Sequence, residues 1–159
     1  MTTINPFLWF DSRAEEAANF YVSLFDDSEI TDISRYPENT PGPAGSVMTV
    51  AFRLKGQEFV ELNGGPQYAF SPAISLYVHC RDQEEVDRYW SALTEGGQSQ
   101  QCGWVSDRYG VTWQIVPDRL PELLGDPDPG RANRAMQAML RMDKIEIKTL
   151  EDAANSTAG

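Results

Sequence analysis

The sequence Glu15-Glu16-Ala17-Ala18-Asn19-Phe20-Tyr21 returns in altered form further along the chain as Glu84-Glu85-Val86-Asp87-Arg88-Tyr89-Trp90. Both stretches place apolar side chains at helical spacing, and each follows a segment with the composition of a short strand. Each helix is followed by a strand-rich segment that ends in a short apolar strand, at residues 59–62 and 113–116. The repeat predicts one strand–helix–strand module that is present twice. Because one module cannot bury both faces of its sheet and helix, we expect the two to pair.

The elements around these helices follow from periodicity and turn residues. Capping boxes are predicted at Ser12 with Glu15 and at Asp82 with Glu85. In the first copy we predict a helix over residues 13–25 and strands over residues 4–10, 29–36, 47–54 and 58–63. In the second copy we predict a strand over residues 73–80, a helix ending near Thr94, and two strands flanking the turn Asp107-Arg108-Tyr109-Gly110.

The predicted fold class is therefore α+β, with two tandem βαβββ modules over residues 3–66 and 72–117 and a C-terminal helical extension over residues 118–150. We expect residues 151–159 to form a disordered tail. Within the extension, a helix over residues 131–142 carries Met136, Met139 and Leu140 on one apolar face. That face either covers the chain's own core or contacts a second subunit, and we expect a homodimer.

Composition excludes several classes of partner. Acidic residues outnumber basic ones by 24 to 13, and the net charge of −11 repels nucleic-acid backbones. No apolar run approaches the roughly 20 residues that a membrane-spanning helix needs. The N-terminal residues lack the pattern of a secretory signal. We therefore expect a cytoplasmic protein that binds neither nucleic acid nor membrane.

The scarcity of ligating and nucleophilic side chains restricts the chemistry further. The two cysteines, Cys80 and Cys102, do not form a Cys-x-x-Cys pair, and His79 is the single histidine. Zinc and non-haem iron sites usually need two or three imidazole or thiolate ligands. No Ser–His–acid set, phosphate-binding loop or zinc motif can be assembled.

Particular stretches resemble a known family. They are Phe7-Leu8-Trp9-Phe10-Asp11, Leu62-Asn63-Gly64-Gly65-Pro66, Asp82-Gln83-Glu84-Glu85-Val86-Asp87 and Cys102-Gly103-Trp104 with Asp107-Arg108-Tyr109-Gly110-Val111-Thr112-Trp113-Gln114-Ile115-Val116-Pro117. They resemble the PhnB-like family, often labelled 3-demethylubiquinone-9 3-methyltransferase. This family belongs to the vicinal oxygen chelate superfamily, which includes glyoxalase I, bleomycin-resistance proteins and extradiol dioxygenases.

The resemblance implies curved sheets that face a pocket. In the metal enzymes of the superfamily, each module gives one ligand from its first strand and one from its last. The matching positions fall near Asn5, Glu61, Ser75 and Gln114. Only Glu61 is a good ligand for a hard cation, so we expect no metal. No G-x-G-x-x-G signature for a nucleotide-type methyl donor is present, so we expect no cofactor.

The candidate site residues follow from the same positions. Glu61 could act as a general base in an aromatic pocket, or it could be an exposed strand carboxylate. Gln114 could orient a ligand, or it could bond a neighbouring strand. The remaining candidate ligand-binding residues are Asn5, Trp9, Ser75, Tyr77 and Trp104, and core packing is the alternative for the aromatic ones.

Three functions remain open at this point. The preferred hypothesis is a metal-independent protein of the PhnB-like, bleomycin-resistance type that binds an unidentified small molecule. The first alternative is an enzyme with Glu61 as the base and with Gln114 and Asn5 as orienting amides. The second alternative is a subunit-interaction protein whose pocket is vestigial.

Overall fold

A computed structural model of the protein describes residues 1 to 157. It divides the chain into two compact units, Met1–Phe70 and a second unit that begins at Ser71. Each unit contains one four-stranded mixed sheet and one long helix between its first two strands. Within the described residues, no helix is long and apolar enough to cross a membrane.

The first unit has the order β-α-β-β-β along the chain. Its sheet has the strand order β1-β4-β3-β2, in which β1 and β4 are parallel and the other pairs are antiparallel. The elements are β1 (Phe7–Phe10), α1 (Ala14–Leu24), β2 (Ser28–Arg35), β3 (Val47–Leu54) and β4 (Gln57–Asn63).

The second unit repeats this topology and adds three helices. Its sheet has the order β5-β8-β7-β6, again with a parallel pair between the first and last strands. The prediction of an α+β fold with two βαβββ modules and C-terminal helices is confirmed. The elements are β5 (Leu76–Cys80), α2 (Gln83–Thr94), β6 (Gln98–Ser99), β7 (Trp104–Ser106), β8 (Thr112–Pro117), α3 (Arg119–Leu124), α4 (Pro129–Met139) and α5 (Ile147–Asn155).

The core of the first unit lies between α1 and its sheet. Three alanines of α1, Ala14, Ala17 and Ala18, are fully buried, and their small side chains let the helix approach the sheet closely. Tyr21 of the same helix lies 6.3 Å from the ring of Phe52 on β3. Phe52 in turn stacks on Phe59 of β4 at 5.2 Å. The helix therefore covers the sheet face that carries Phe52 and Phe59.

The predicted cap of α1 is wrong. The helix begins at Ala14 after Arg13, and no side chain caps it from the Ser12 position. The Ala14 amide instead donates to Oδ1 of Asn63, at 2.8 Å, from the end of β4. The second capping box is confirmed in its main bond, since Asp82 accepts from the Glu85 amide at 2.9 Å. The Glu85 carboxylate reaches one residue further back, to the Arg81 amide at 2.7 Å.

The predicted disordered tail is wrong for residues 151–155, which form the second half of α5. Leu150 and Ala154 of this helix are fully buried. Gln83 of α2 accepts from the Ile147 amide at 2.7 Å, and Arg134 of α4 donates to the Ala154 carbonyl at 2.9 Å. Hydrogen bonds to α2 and α4 thus hold both ends of α5. Ala158 and Gly159, also in the predicted tail, lie outside the described residues.

Asn63 joins three elements of the first unit, and its removal tests that role. Besides accepting from the Ala14 amide, its side chain donates to the Val47 carbonyl of β3 at 3.2 Å. We expect Asn63→Ala to lower the free energy of unfolding by about 1–3 kcal/mol, since two partners lose their hydrogen bonds. Urea denaturation measures this change.

Asn19→Ala is the matched control, because the exposed Asn19 amide donates to the carbonyl of Glu15 in its own helix and, among residues 1–157, bonds to no other element. It should change stability by no more than about 0.5 kcal/mol. Equal effects of the two substitutions would contradict the role assigned to Asn63.

Candidate functional site

Side chains alternate between the two faces of a sheet along each strand. In each unit the long helix covers one of these faces, which we call the helix side, and leaves the other, the open face. On β4, Phe59, Glu61 and Asn63 share one face, and Val60 and Leu62 share the other. The bond that Asn63 accepts from the start of α1 and the stack of Phe59 on Phe52, which contacts Tyr21 of α1, place the first set on the helix side. Val60 and Leu62 therefore lie on the open face of the first unit.

Glu61 is fully buried on the helix side of its sheet. Its strand neighbours are Leu8 on β1 and Val50 on β3. The expectation of an exposed carboxylate is therefore wrong, and the structure does not place Glu61 on the open face either. The structure gives no support to Glu61 as a base acting on a ligand there.

The two modules can be aligned by their closing hydrogen bonds. The backbone amide of Gly64 donates to the carbonyl of Phe10 at 2.8 Å, and the backbone amide of Asp118 donates to the carbonyl of Cys80 at 2.8 Å. With Gly64 matched to Asp118, the residue equivalent to Gln114 is Val60, and Glu61 matches the buried Ile115. The sequence comparison of Glu61 with Gln114 was displaced by one residue, and in a strand that displacement exchanges the two faces.

Four of the predicted ligand-binding residues meet on the open face of the second unit. Gln114 of β8 lies directly beside Tyr77 of β5 and Trp104 of β7, so the three form one row across the sheet. We call this the aromatic–amide row. Ser75, just before β5, accepts a hydrogen bond from Nε2 of Gln114 at 2.9 Å.

The aromatic–amide row is accessible rather than part of a packed core. Tyr77 is 43% exposed, and Gln114 and Trp104 are half-buried, whereas the residues on either side of Gln114 along β8 are buried. Two aromatic rings beside a primary amide offer apolar surface and hydrogen-bonding capacity in the same place. This arrangement suits a small molecule that is flat and partly polar.

His79 joins this face although the sequence analysis gave it no role in binding. It follows Tyr77 by two residues on β5, and the two rings lie 4.6 Å apart. Nδ1 of His79 is 3.8 Å from the Asp118 carboxylate. Burial, followed by Asp118 and Cys80, raises the pKa of the Tyr77 phenol. Strand alternation from Tyr77 was the signal that could have identified His79.

The hairpin that presents Trp104 is held by Asp107, which is almost fully buried. Its carboxylate accepts from the amides of Tyr109 and Val111, at 2.8 and 3.1 Å, and from the indole of Trp113 at 2.9 Å. The interpretation of Asp107 as a turn residue is therefore supported by its contacts.

The other two predicted ligand-binding residues lie in the first unit. Trp9 is on the open face of β1, where its indole donates to the Gly65 carbonyl at 2.9 Å and its ring meets Tyr68 edge-on at 5.0 Å. A Cβ atom on Gly64 would stand 2.5 Å from the Trp9 ring, so only glycine fits beside it. Asn5 is exposed and precedes β1.

A separate cleft of about 550 Å³ lies in the first unit, where β1 and β4 end and α1 begins. Asp11, Glu15, Tyr36 and Asn63 are among its lining residues, and none of the predicted site residues is. Its walls are joined by the bond from the Tyr36 hydroxyl to the Asn63 carbonyl, at 2.6 Å.

The positions that the resemblance assigns to metal ligands do not fit a metal. Glu61 is on the helix side of its sheet, Asn5 precedes its strand, and Gln114 is bonded to Ser75. Among residues 1 to 157, no group of three or more histidine, cysteine, aspartate or glutamate side chains is placed to hold a metal ion. Neutral amide and hydroxyl groups alone are weak ligands for divalent transition metals.

Comparisons with known proteins agree with this fold. The profile of a family described as 3-demethylubiquinone-9 3-methyltransferase matches residues 2–116. The PhnB protein from Bacillus cereus, which carries the same description, is 43% identical, with a TM-score of 0.67 over 73% of this chain and 99% of that one. Protein PA1353 from Pseudomonas aeruginosa is 20% identical, with a TM-score of 0.62 over 74% of this chain and 98% of that one. A comparison with curated proteins finds no match.

The two cysteines should differ sharply in reactivity. Cys80 is fully buried, and burial raises the pKa of its thiol to about 12, with Glu85 and Asp118 adding to the effect. Because the thiolate is the nucleophile, we expect iodoacetamide at pH 8 to modify native Cys80 at least about a hundredfold more slowly than in urea. Peptide mapping by mass spectrometry measures both rates. Cys102, which is half-buried, serves as the internal control. Equal labelling of Cys80 in the folded and unfolded protein would refute the expectation.

Proposed function

Because the chain belongs to the family described as 3-demethylubiquinone-9 3-methyltransferase, in its PhnB-like form, we propose that it binds a small organic molecule on the open face of its second sheet. The aromatic–amide row of Tyr77, Gln114 and Trp104 is the observation that carries this proposal. Binding is non-covalent and needs no metal ion. The protein then acts by holding its ligand, in the manner expected of bleomycin-resistance proteins.

The contacts of the row support a binding role. Flat rings stack on Tyr and Trp side chains, and each aromatic pair contributes about 0.5–1.5 kcal/mol beyond the buried area. The amide of Gln114 adds direction, because a ligand that cannot meet it leaves a polar group without a partner. The unequal residues at equivalent positions, Gln114 in the second unit and Val60 in the first, favour the second sheet as the polar binding face.

Metal independence is supported by the donor set rather than by composition alone. The carboxylate needed for a hard cation, that of Glu61, belongs to the helix side of the first sheet. Methyl transfer has no support from the chain either, since a nucleotide-type donor is usually held by a glycine-rich turn between a parallel strand and a helix. In this chain Gly64 and Gly65 follow β4 but open no helix.

Gln114→Leu tests the proposed site. In ligand-observed NMR against a metabolite library, we expect the wild-type protein to bind ligands that the variant binds at least about tenfold more weakly, a loss of about 1.4 kcal/mol. Gln57→Leu makes the same change at an exposed position of the first unit and should leave affinity unchanged. An added chelator should have no effect either.

Three outcomes would count against the proposal. A screen in which no compound binds would favour the interaction-protein alternative, in which the open face is vestigial. Binding that Gln114→Leu leaves unaltered would move the site elsewhere. Loss of binding on chelation would restore a metal to the mechanism.

We also propose that the protein is a homodimer formed through α4. Met136 of α4 and Leu140, the residue that caps its C-terminal end, are 37% and 48% exposed, whereas Met139, expected on the same apolar face, packs against the helical core of its own unit. A permanent interface should bury more than about 1,000 Å². Light scattering at micromolar concentration should give twice the chain mass.

Variants of α4 separate the two roles of its apolar residues. Leu140→Glu should give a folded monomer whose melting temperature no longer rises with protein concentration, as that of the wild-type dimer should. Met139→Glu should instead destabilise the fold by several kcal/mol, because it places a charge against the protein's own core. A wild-type protein with the mass of one chain would refute the dimer.

A further inference from the structure

The pair Asn63-Gly64, where β4 ends, is the only Asn-Gly sequence in the chain. Such pairs are especially prone to spontaneous deamidation, in which the backbone nitrogen of the following residue attacks Cγ of the asparagine side chain. Glycine makes this attack easiest, because it has no side chain to block the approach and restricts its backbone least. The chain therefore carries one sequence at which its covalent structure changes readily without an enzyme.

In the folded first unit, hydrogen bonds hold each group that takes part in this reaction. The Gly64 amide, which must lose its proton, donates to the carbonyl of Phe10 at 2.8 Å. Oδ1 of Asn63 accepts from the Ala14 amide at 2.8 Å, and Nδ2 donates to the Val47 carbonyl at 3.2 Å. The attack requires the side chain to swing toward Gly64, so it must leave both of these partners.

The backbone at the end of β4 adds a second barrier. Asn63 is the last residue of the strand, and a side chain on an extended backbone stands to one side, out of reach of the following nitrogen. Its own carbonyl accepts from the Tyr36 hydroxyl at 2.6 Å, and the Gly65 amide donates to the Asp11 carbonyl at 3.2 Å. The end of β4 must therefore separate from β1, β3 and α1 before the reaction starts.

We propose that Asn63-Gly64 is a modification site gated by opening of the first unit: it deamidates only while the end of β4 is detached, and its main product prevents that end from pairing again. The Gly64 nitrogen gives its proton to solvent and bonds to Cγ of Asn63. The bond from Cγ to Nδ2 breaks, and ammonia leaves after taking up a proton, so that a succinimide ring remains. Water opens this ring to aspartate or isoaspartate, with no oxidation or reduction. Both residues line the cleft of about 550 Å³, through which water reaches them.

The two products act differently on the end of the strand. Aspartate still accepts from the Ala14 amide, where a negative charge suits the start of a helix, but it cannot donate to the Val47 carbonyl. Isoaspartate, the main product when such a ring opens, routes the main chain through Cγ and lengthens it by one carbon before Gly64. The Gly64 amide is then displaced from the Phe10 carbonyl. An opening that ends in isoaspartate is therefore permanent.

Peptide mapping by mass spectrometry in mildly alkaline buffer tests the gate. We expect Asn63 of the folded protein to deamidate at least about a hundredfold more slowly than in urea, because only the open fraction reacts. Tyr36→Phe removes the hydroxyl that binds the Asn63 carbonyl, and it should raise the folded rate about three- to tenfold while leaving the rate in urea unchanged. Tyr68→Phe removes the hydroxyl of an exposed tyrosine in the same unit and should change neither rate.

The permanence of the change needs a second measurement. Deamidated protein, separated by ion exchange and refolded, should lose hydrogen-exchange protection at the Gly64 amide. The amide of Asp118, which closes the second unit by the equivalent bond, should keep its protection.

Each part of the proposal has a result that overturns it. Equal rates in the folded and unfolded protein would show that the fold does not gate the reaction, and no deamidation in urea would show that the pair is not a modification site. A folded rate that Tyr36→Phe leaves unchanged would contradict a gate at the end of β4. Full protection of Gly64 after deamidation would refute the permanent loss of pairing.

Discussion

Parallel pairing between the first and last strands of each module determines where every side chain of the site lies. β1 pairs with β4 and β5 with β8, and each pair is closed by the same backbone bond, from Gly64 to Phe10 and from Asp118 to Cys80. Once that pairing is set, alternation leaves no freedom in the choice of face. The helix takes one face for the core, and the opposite face carries whatever chemistry the module has.

Much of the fold could be predicted from the sequence because its signals are local. Helical periodicity, the turn from Asp107 to Gly110, and the box of Asp82 and Glu85 involve residues that are near one another in the chain. The failures involve partners far apart in sequence. Asn63 replaces Ser12 at the start of α1, and Arg134 of α4 holds the end of α5, of which residues 151–155 were expected to be disordered. No window of sequence contains both partners of such a bond.

The candidate site could be predicted only in part, because its geometry also depends on residues that are far apart in the chain. Alternation groups Glu61 with Phe59 and Asn63, but it does not say whether that group faces the helix or the open side. In the second unit the structure places Tyr77 directly beside Gln114 on the open face, a neighbourhood between strands that alternation within one strand does not reveal. The two modules share a topology and yet differ in polarity at equivalent positions, as Val60 and Gln114 show. Duplication of a fold therefore does not imply duplication of a site.

The two long-range bonds at the ends of α5 have a consequence for how the second unit opens. Gln83 binds the first turn of α5 to the start of α2, and Arg134 binds its last turn to α4. A helix held at both ends by different elements cannot fray independently, because melting either end also disrupts α2 or α4. The three helices should therefore exchange their amide hydrogens as one cooperative block, with no gradient of protection along α5 up to Asn155.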